Sequence, residues 1–426
     1  MGVTAVVGCQ WGDEAKGKFV DYLSQDADIV ARFNGGDNAG HTVVNPYGTV
    51  KLRLLPNGLF YPQTNCIIGP GVVVNLATLI DEMLFFEGSG LDFQERVWIS
   101  PRCHVVMPYH PLIEEIYEKA RGESRTGTTR RGIGPVYADK VSYNGIRLFD
   151  LAQETVFAEK LRLQLAIKNP TLQAFGLPRL EFEAVFQEKQ EQYARVSSYV
   201  REPFGLVQAA LAQGGKILLE GAQGAMLDNN WGTYPFCTAS ITLAGGASAG
   251  LGLAPHHIRQ VVGIAKAYTT RVGAGPMPTE LHDQVGQIIQ QEGQEYGTVT
   301  GRARRCGWFD SEVVRFTCQL NGVTDLALTK LDVLDSLPVL KICTGYRQES
   351  AGERLAHYWE GDAAWLETCR PVYIEMPGWQ SSTRQARAFQ QLPSQAQAYV
   401  RKIEELVEAP VRWVSVGPAR EETIVV

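Results

Sequence analysis

Short runs of consecutive apolar residues recur along the chain, separated by stretches with helical spacing. Val3-Thr4-Ala5-Val6-Val7 is the first run. Others are Ile29-Val30-Ala31, Cys66-Ile67-Ile68, Val97-Trp98-Ile99, Ile217-Leu218-Leu219, Val261-Val262-Gly263-Ile264, Leu326-Ala327-Leu328 and Val411-Arg412-Trp413-Val414. A run without polar alternation predicts a strand buried on both faces. Between them, residues 75–87, 109–121, 283–293, 311–321 and 394–407 have helical spacing, with Ser394 placed to cap the last. Residues 180–212 also read as helical and are highly charged. The alternation predicts an α/β fold: P-loop-like, with a largely parallel central sheet, helices on both faces and long inserted loops. No repeat, linker or low-complexity tract divides the chain. A single domain over 1–426, with insertions, is therefore expected.

Composition narrows the class. The chain has 426 residues, 45% apolar and 20% charged, as in ordinary globular proteins. A net charge of −6 offers no basic face, so no nucleic-acid partner is expected. No apolar run approaches the ~18 residues of a membrane span, so no membrane association is expected. The first core strand begins at the N-terminus, so no signal peptide is expected. The eight cysteines include no C-x-x-C pair. In a chain of this length that predicts reduced thiols and a cytoplasmic protein.

The candidate chemistry begins where the first strand ends. Gly8-Cys9-Gln10-Trp11-Gly12-Asp13-Glu14-Ala15-Lys16-Gly17-Lys18 leads into the helical stretch Phe19-Val20-Asp21-Tyr22-Leu23. Gly12 to Lys18 has the G-x-x-x-x-G-K spacing of a phosphate loop, in which backbone N–H groups and a helix N-terminus face the phosphates and the lysine reaches the outer ones. Phe19 stands where such loops place a hydroxyl for Mg²⁺. Asp13 and Glu14 put two acids beside the phosphate position. That is costly unless one binds metal or takes a proton, so the loop is read as doing chemistry as well as holding a nucleotide. Asn34-Gly35-Gly36-Asp37-Asn38-Ala39-Gly40-His41-Thr42 follows, rich in small residues that let backbone approach a ligand. His41 sits inside that turn. A lone histidine is often structural, but here the glycines and the upstream loop favour catalysis.

W-G-D-E-x-K-G-K followed by G-G-x-N-A-G-H-T resembles the adenylosuccinate synthetase family, and the resemblance extends over essentially the whole chain. It implies a ligase that uses GTP and Mg²⁺ to join IMP and L-aspartate through 6-phosphoryl-IMP, acting as a cytoplasmic homodimer. By that resemblance Gly12, Glu14, Ala15, Lys16, Gly17 and Lys18 would meet GTP, joined by Gly40 and Thr42. Asp13 would remove the N1 proton of IMP. His41 would stabilise the transferred phosphoryl group and protonate the departing oxygen, and Lys16 would add electrostatic stabilisation. The Asp13 carboxylate and Gly40 carbonyl would hold Mg²⁺, answering the missing hydroxyl at Phe19. Ala15 replaces a family glycine; its methyl is tolerable if φ stays negative, and GTP binding is expected to survive.

Later loops extend the picture. Gly127-Thr128-Thr129-Arg130-Arg131-Gly132 suits a phosphate or carboxylate, although on its own it also reads as a solvated basic loop. The resemblance implies IMP phosphate at Thr129, with Arg131 on the aspartate side. Glu220-Gly221-Ala222-Gln223-Gly224 follows a strand, the usual place for ligand contacts. Gln223 would read the purine base and join the catalytic set, with Asn38, Thr238 and Val272 completing the IMP contacts. In Thr300-Gly301-Arg302-Ala303-Arg304-Arg305, arginine forks match carboxylates. Thr300 and Arg302 would hold aspartate, and Arg305 would meet GTP. Thr329-Lys330-Leu331-Asp332 ends a strand and resembles the guanine-reading T/N-K-x-D signature, whose aspartate accepts from N1–H and the 2-amino group. Lys330 and Asp332 would read guanine, with Ser415 and Gly417 on the other side. Tyr143, Ile241 and Ala303 depart from the family pattern and leave open a sister ligase acting on another oxo-nucleotide or amine donor. A non-catalytic GTP-binding module would need neither Asp13 nor His41.

Overall fold

The N-terminal apolar run becomes β1 (Val3–Gly8), the middle strand of a nine-stranded sheet. The computed structural model describes residues 2–297, 301–348 and 357–426. The other strands of this sheet, in chain order, are β2 (Ile29–Arg32), β3 (Asn65–Ile68), β4 (Val97–Ile99) and β5 (Ile217–Glu220). They continue with β6 (Ile258–Lys266), β7 (Asp325–Thr329), β8 (Val411–Ser415) and β9 (Thr423–Val425). The spatial order is β9-β8-β7-β6-β1-β5-β2-β3-β4. Every pairing is parallel except that of β8 with β9.

Parallel strands need crossovers, and these place helices on both faces. Val3, Ala5 and Val7 pack with Val207, Ala247 and Leu251 on one side. Val6 packs on the other with Phe19 and Val20 of α1 (Lys16–Ser24) and with Trp413. Phe19 is fully buried, its ring tilted at 64° to that of Trp413. It is a core residue under the sheet, which is why the phosphate loop has no hydroxyl at that position.

Helices form at Leu76–Gly88, Tyr109–Arg121, Gln284–Glu292, Ser311–Asn321 and Ser394–Val407, close to the expected spans. Asn75, Asp283 and Asp310 cap three of them by accepting a backbone N–H. Ser394 does not cap the last: Pro393 holds the cap position and Ser394 is the first helical residue. Helices at Glu154–Ala174 and Phe182–Val196 form a satellite layer outside the sheet. A second, three-stranded sheet joins Phe309–Asp310, Val339–Arg347 and Arg370–Pro377. All eight cysteines are free thiols. Among the described residues no helix is long and apolar enough to cross a membrane.

Candidate active site

The carboxyl ends of the central strands converge on the loop after β1. Its tip is held from inside. Glu14 is fully buried, and its Oε1 accepts the backbone N–H groups of Gln10 (3.1 Å) and Gly12 (2.8 Å). Its Oε2 pairs with Lys16 Nζ at 2.6 Å. The side chain expected to meet GTP is thus a clamp within the loop. Gln10 extends the clamp to β6, accepting from Lys266 N (2.9 Å) and donating to Tyr268 O (2.8 Å). Thr329 Oγ1 donates to the Glu14 carbonyl at 2.9 Å, joining the loop to the end of β7.

Two local expectations change. Ala15 has φ 66°, in the left-handed region, rather than a negative φ. It caps α1 there, so the helix starts at Lys16. Lys18, in the position of the motif's lysine, turns away from the loop. Its Nζ donates to Ser415 Oγ (2.6 Å), Gly417 O (2.7 Å) and Glu422 O (3.2 Å). Burial pulls its ammonium down to about 8, against the raising influence of Glu422 and Asp332. Lys18 therefore supports the turn that carries Ser415 and Gly417, while Lys16 stays with the loop. Gly17 permits the close approach of α1 to the next element: a Cβ there would lie 3.0 Å from His41 Cβ.

His41 opens the strand His41–Asn45 and is buried. Its Nδ1 lies 2.5 Å from Oε1 of Glu220, the last residue of β5. Glu220 Oε2 accepts Asn57 N–H at 2.9 Å, and the buried Arg32 guanidinium lies 3.8 Å from Oε1. Burial drives His41 toward its neutral form, against the pull of Glu220. Burial also opposes ionisation of Glu220, but His41 and Arg32 hold its carboxyl below the usual range. The network therefore assigns a neutral imidazole that donates from Nδ1 to a carboxylate and presents Nε2 as the free acceptor. His41 Nε2 is buried without a hydrogen-bond partner among the described residues. The same holds for both amide atoms of Gln223, just past Glu220, whose backbone is left-handed at φ 59°.

Asp13 also adopts φ 60° and remains partly exposed. Its Oδ2 accepts from Arg304 Nε at 2.7 Å. The pairing of Arg304 with Asp13 is not expected from the sequence; Arg305, which the resemblance places on GTP, points elsewhere, pairing with Glu280 and donating to Gly275 O (2.7 Å). Asn38 Nδ2 donates to Thr238 Oγ1 at 3.3 Å, so these two residues, both expected to contact IMP, meet. Arg302 donates to the carbonyls of Gly127 (2.7 Å) and Thr128 (3.3 Å), bringing the arginine loop onto the loop that carries Thr129. Arg131 lies 3.7 Å from the buried Asp37. Val272 is half-buried, next to Gly273, whose Cβ would lie 3.2 Å from Thr126 O. Thr300 lies outside the described residues. Asp332 sits in the turn after β7, 3.4 Å from Arg384, with its carboxyl pushed up by burial. Lys330 Nζ donates to Gly293 O (2.5 Å) and Glu295 Oε1 (2.8 Å).

The adenylosuccinate synthetase family model matches residues 5–424. The chain belongs to the adenylosuccinate synthetase family. An adenylosuccinate synthetase of Heliobacterium modesticaldum is 47% identical over 425 residues, covering 100% of this chain and 99% of the relative. That of Dehalococcoides mccartyi is 46% identical, with 100% of both chains covered. The solved, fully ligated adenylosuccinate synthetase of Plasmodium falciparum superposes with a TM-score of 0.94 at 35% identity, again over 100% of both chains. A cyanophage S-2L succinoaminodeoxyadenylate synthetase shares the fold, at TM-score 0.63 and 22% identity over 100% of this chain and 95% of that one. The relatives at 46–47% identity are adenylosuccinate synthetases, which leaves the sister ligase on another oxo-nucleotide or amine without support.

Proposed function

We propose the following division of labour for the reaction of this family, the GTP-dependent joining of IMP and L-aspartate to adenylosuccinate in purine biosynthesis. The reaction comes to the chain with its family membership; the roles of individual residues are our reading. The 6-oxo group of a purine is a poor leaving group, and phosphorylation makes it a good one. Asp13 takes the N1 proton, and the resulting O6 anion attacks the γ-phosphorus of GTP, releasing GDP. The amine of aspartate then attacks C6, and O6 leaves as part of inorganic phosphate. Lys16, the loop N–H groups and the N-terminus of α1 offset charge on the phosphates. Glu220 raises the basicity of His41, so Nε2, protonated from solvent when the substrate phosphates bring negative charge opposite it, stabilises the transferred phosphoryl group and gives that proton to the departing oxygen, the logic of a carboxylate-backed histidine.

Gln223 would meet the purine edge, and Asn38, Thr129, Thr238 and Val272 the rest of IMP. Thr300, Arg302 and Arg131 would serve aspartate. Lys330, Asp332, Ser415 and Gly417 would surround guanine. Mg²⁺ would be held by the Asp13 oxygen that Arg304 does not engage and by the Gly40 carbonyl. One carboxylate oxygen, the Gly40 carbonyl and substrate phosphates are the usual surroundings of Mg²⁺, which neutralises phosphate charge. We include in the reading a single domain, supported by a sheet that takes strands from both ends of the chain. We also include a cytoplasmic homodimer, for which the exposed Val141 and Tyr143 offer an apolar tip.

The observation that carries the reading is the trio of buried atoms, Gln223 Oε1, Gln223 Nε2 and His41 Nε2, that have no hydrogen-bond partner among the described residues, near the end of β5. Each such atom costs about 1–3 kcal/mol unless a ligand satisfies it. The test follows oxygen. With IMP labelled by oxygen-18 at O6, the label is expected in inorganic phosphate, equimolar with adenylosuccinate; unlabelled phosphate would rule out the phosphoryl intermediate. Asp13→Asn is expected to cut turnover by at least ~10², the scale of a lost general base, with GTP affinity kept.

A further inference from the structure

Glu295 has no part in the steps above, yet four donors converge on it. Lys266 Nζ lies 2.9 Å from Oε1 and 2.8 Å from Oε2. Lys330 Nζ (2.8 Å) and the Tyr268 hydroxyl (2.5 Å) reach Oε1, and Arg304 Nη1 reaches Oε2 at 2.6 Å. Glu295 and Lys266 are completely buried. Burial opposes ionisation of Glu295, but Lys266, Lys330 and Arg304 together hold its carboxyl far below the usual range. Two of these donors also belong to the site. Arg304 uses its Nε on Asp13 while Nη1 is held by Glu295. Lys330 begins the turn that carries Asp332. A guanidinium is a rigid planar fork, so fixing one edge fixes the other.

We propose that Glu295 is a positioning residue that sets Arg304 against Asp13 and Lys330 at the guanine-side turn. Nucleotide recognition and proton removal then share one buried anchor. This rests on the reading in which Asp13 takes the N1 proton. A carboxylate that only stabilised the fold would affect both substrates alike.

The test is a double-mutant cycle on the full chain. Glu295→Gln keeps the shape and removes the charge. It is expected to lower kcat by ~10–100-fold and raise the KM for GTP by ~3–10-fold, the scale of one or two lost charge-assisted bonds. The KM for IMP should stay within about twofold. In an Asp13→Asn background the kcat loss should shrink below about twofold, because the interaction it supports is already gone, while the GTP effect persists. Losses that multiply in the double variant, or GTP and IMP constants that rise together, would overturn the proposal. If Glu295→Gln does not fold, Tyr268→Phe removes only the hydroxyl donor and enters the same cycle. Its expected kcat loss is ~2–5-fold, vanishing with Asp13→Asn; no loss, or a multiplying one, overturns the proposal. Near-normal turnover of Asp13→Asn alone would overturn both this inference and the reading beneath it. Loss in that variant with independent Glu295→Gln effects overturns the inference only.

Discussion

Glu220→Gln is expected to divide the cost of one buried carboxylate between catalysis and folding. Glu220 accepts at once from His41 Nδ1 (2.5 Å) and Asn57 N (2.9 Å), and Arg32 lies 3.8 Å away with Nε and Nη2 unpartnered among the described residues. The amide keeps one acceptor oxygen, so it can serve His41 or Asn57 but not both. Loss of a charge-assisted bond behind His41, worth about 1.5–3 kcal/mol, predicts a turnover 10–150-fold lower. Removing one partner of a buried ion pair leaves Arg32 uncompensated and predicts about 3–5 kcal/mol of lost stability. Arg32→Met combined with Glu220→Gln removes both charges and is expected to recover most of the stability and none of the turnover. Initial rates with saturating GTP, IMP and aspartate read the first quantity, and the urea midpoint followed by tryptophan fluorescence reads the second. Turnover within twofold of wild type in Glu220→Gln would refute the His41 argument. So would a double variant that regained rate and stability together.

Three further outcomes are expected. Asp332→Asn should weaken GTP and improve xanthosine triphosphate, because an amide donates to the 2-oxo group; unchanged kinetics with both nucleotides would remove Asp332 from guanine recognition. Ala15→Gly should stabilise the protein by ~0.5–1 kcal/mol, since relief of a left-handed alanine (~1–2 kcal/mol) exceeds the added chain entropy (~0.4–1 kcal/mol); a lower melting temperature would contradict the φ of 66° at that residue. Burial lowers the pKa of His41, His104 and His110, that of His104 to about 4. Groups depressed in the folded state bind protons more readily when unfolded, so their stability is present above ~6.5 and lost as pH falls. The three histidines therefore lower the urea midpoint between about pH 6.5 and 4, while Asp310, whose carboxyl burial pushes up to about 7, acts in the opposite sense over that window; His104→Gln removes the His104 share, so its midpoint should lose less over this range than that of the wild type.

The central sheet was legible because strands buried on both faces leave unbroken apolar runs. The strand Arg370–Pro377 was not: it is partly exposed along its length and bounded by prolines. The phosphate loop was legible as a motif, but not in its division of labour. With α1 starting at Lys16, Lys18 lies two residues on, roughly 200° around the helix, so the two lysines face opposite ways. Arg304 and Arg305 diverge for the equivalent reason at the start of the strand Arg305–Gly307, where successive side chains alternate in direction. Spacing alone could not say which arginine meets Asp13. Glu295 carried no signal at all, since its partners at 266, 268, 304 and 330 meet only in the folded chain.

The strand order also sets a timetable for synthesis. β1 leaves the ribosome first, but its sheet neighbours are β5 and β6, which begin at Ile217 and Ile258. At ~5–20 residues per second the nascent β1 waits about 10–50 s for a hydrogen-bonding partner, a long exposure for an unpaired apolar strand. The turn that Lys18 supports comes later still. Lys18 is made at the outset, and Ser415 and Gly417, to which it is tied, emerge near the end of the chain. A translation product released before β8 carries the phosphate loop without the turn that Lys18 supports.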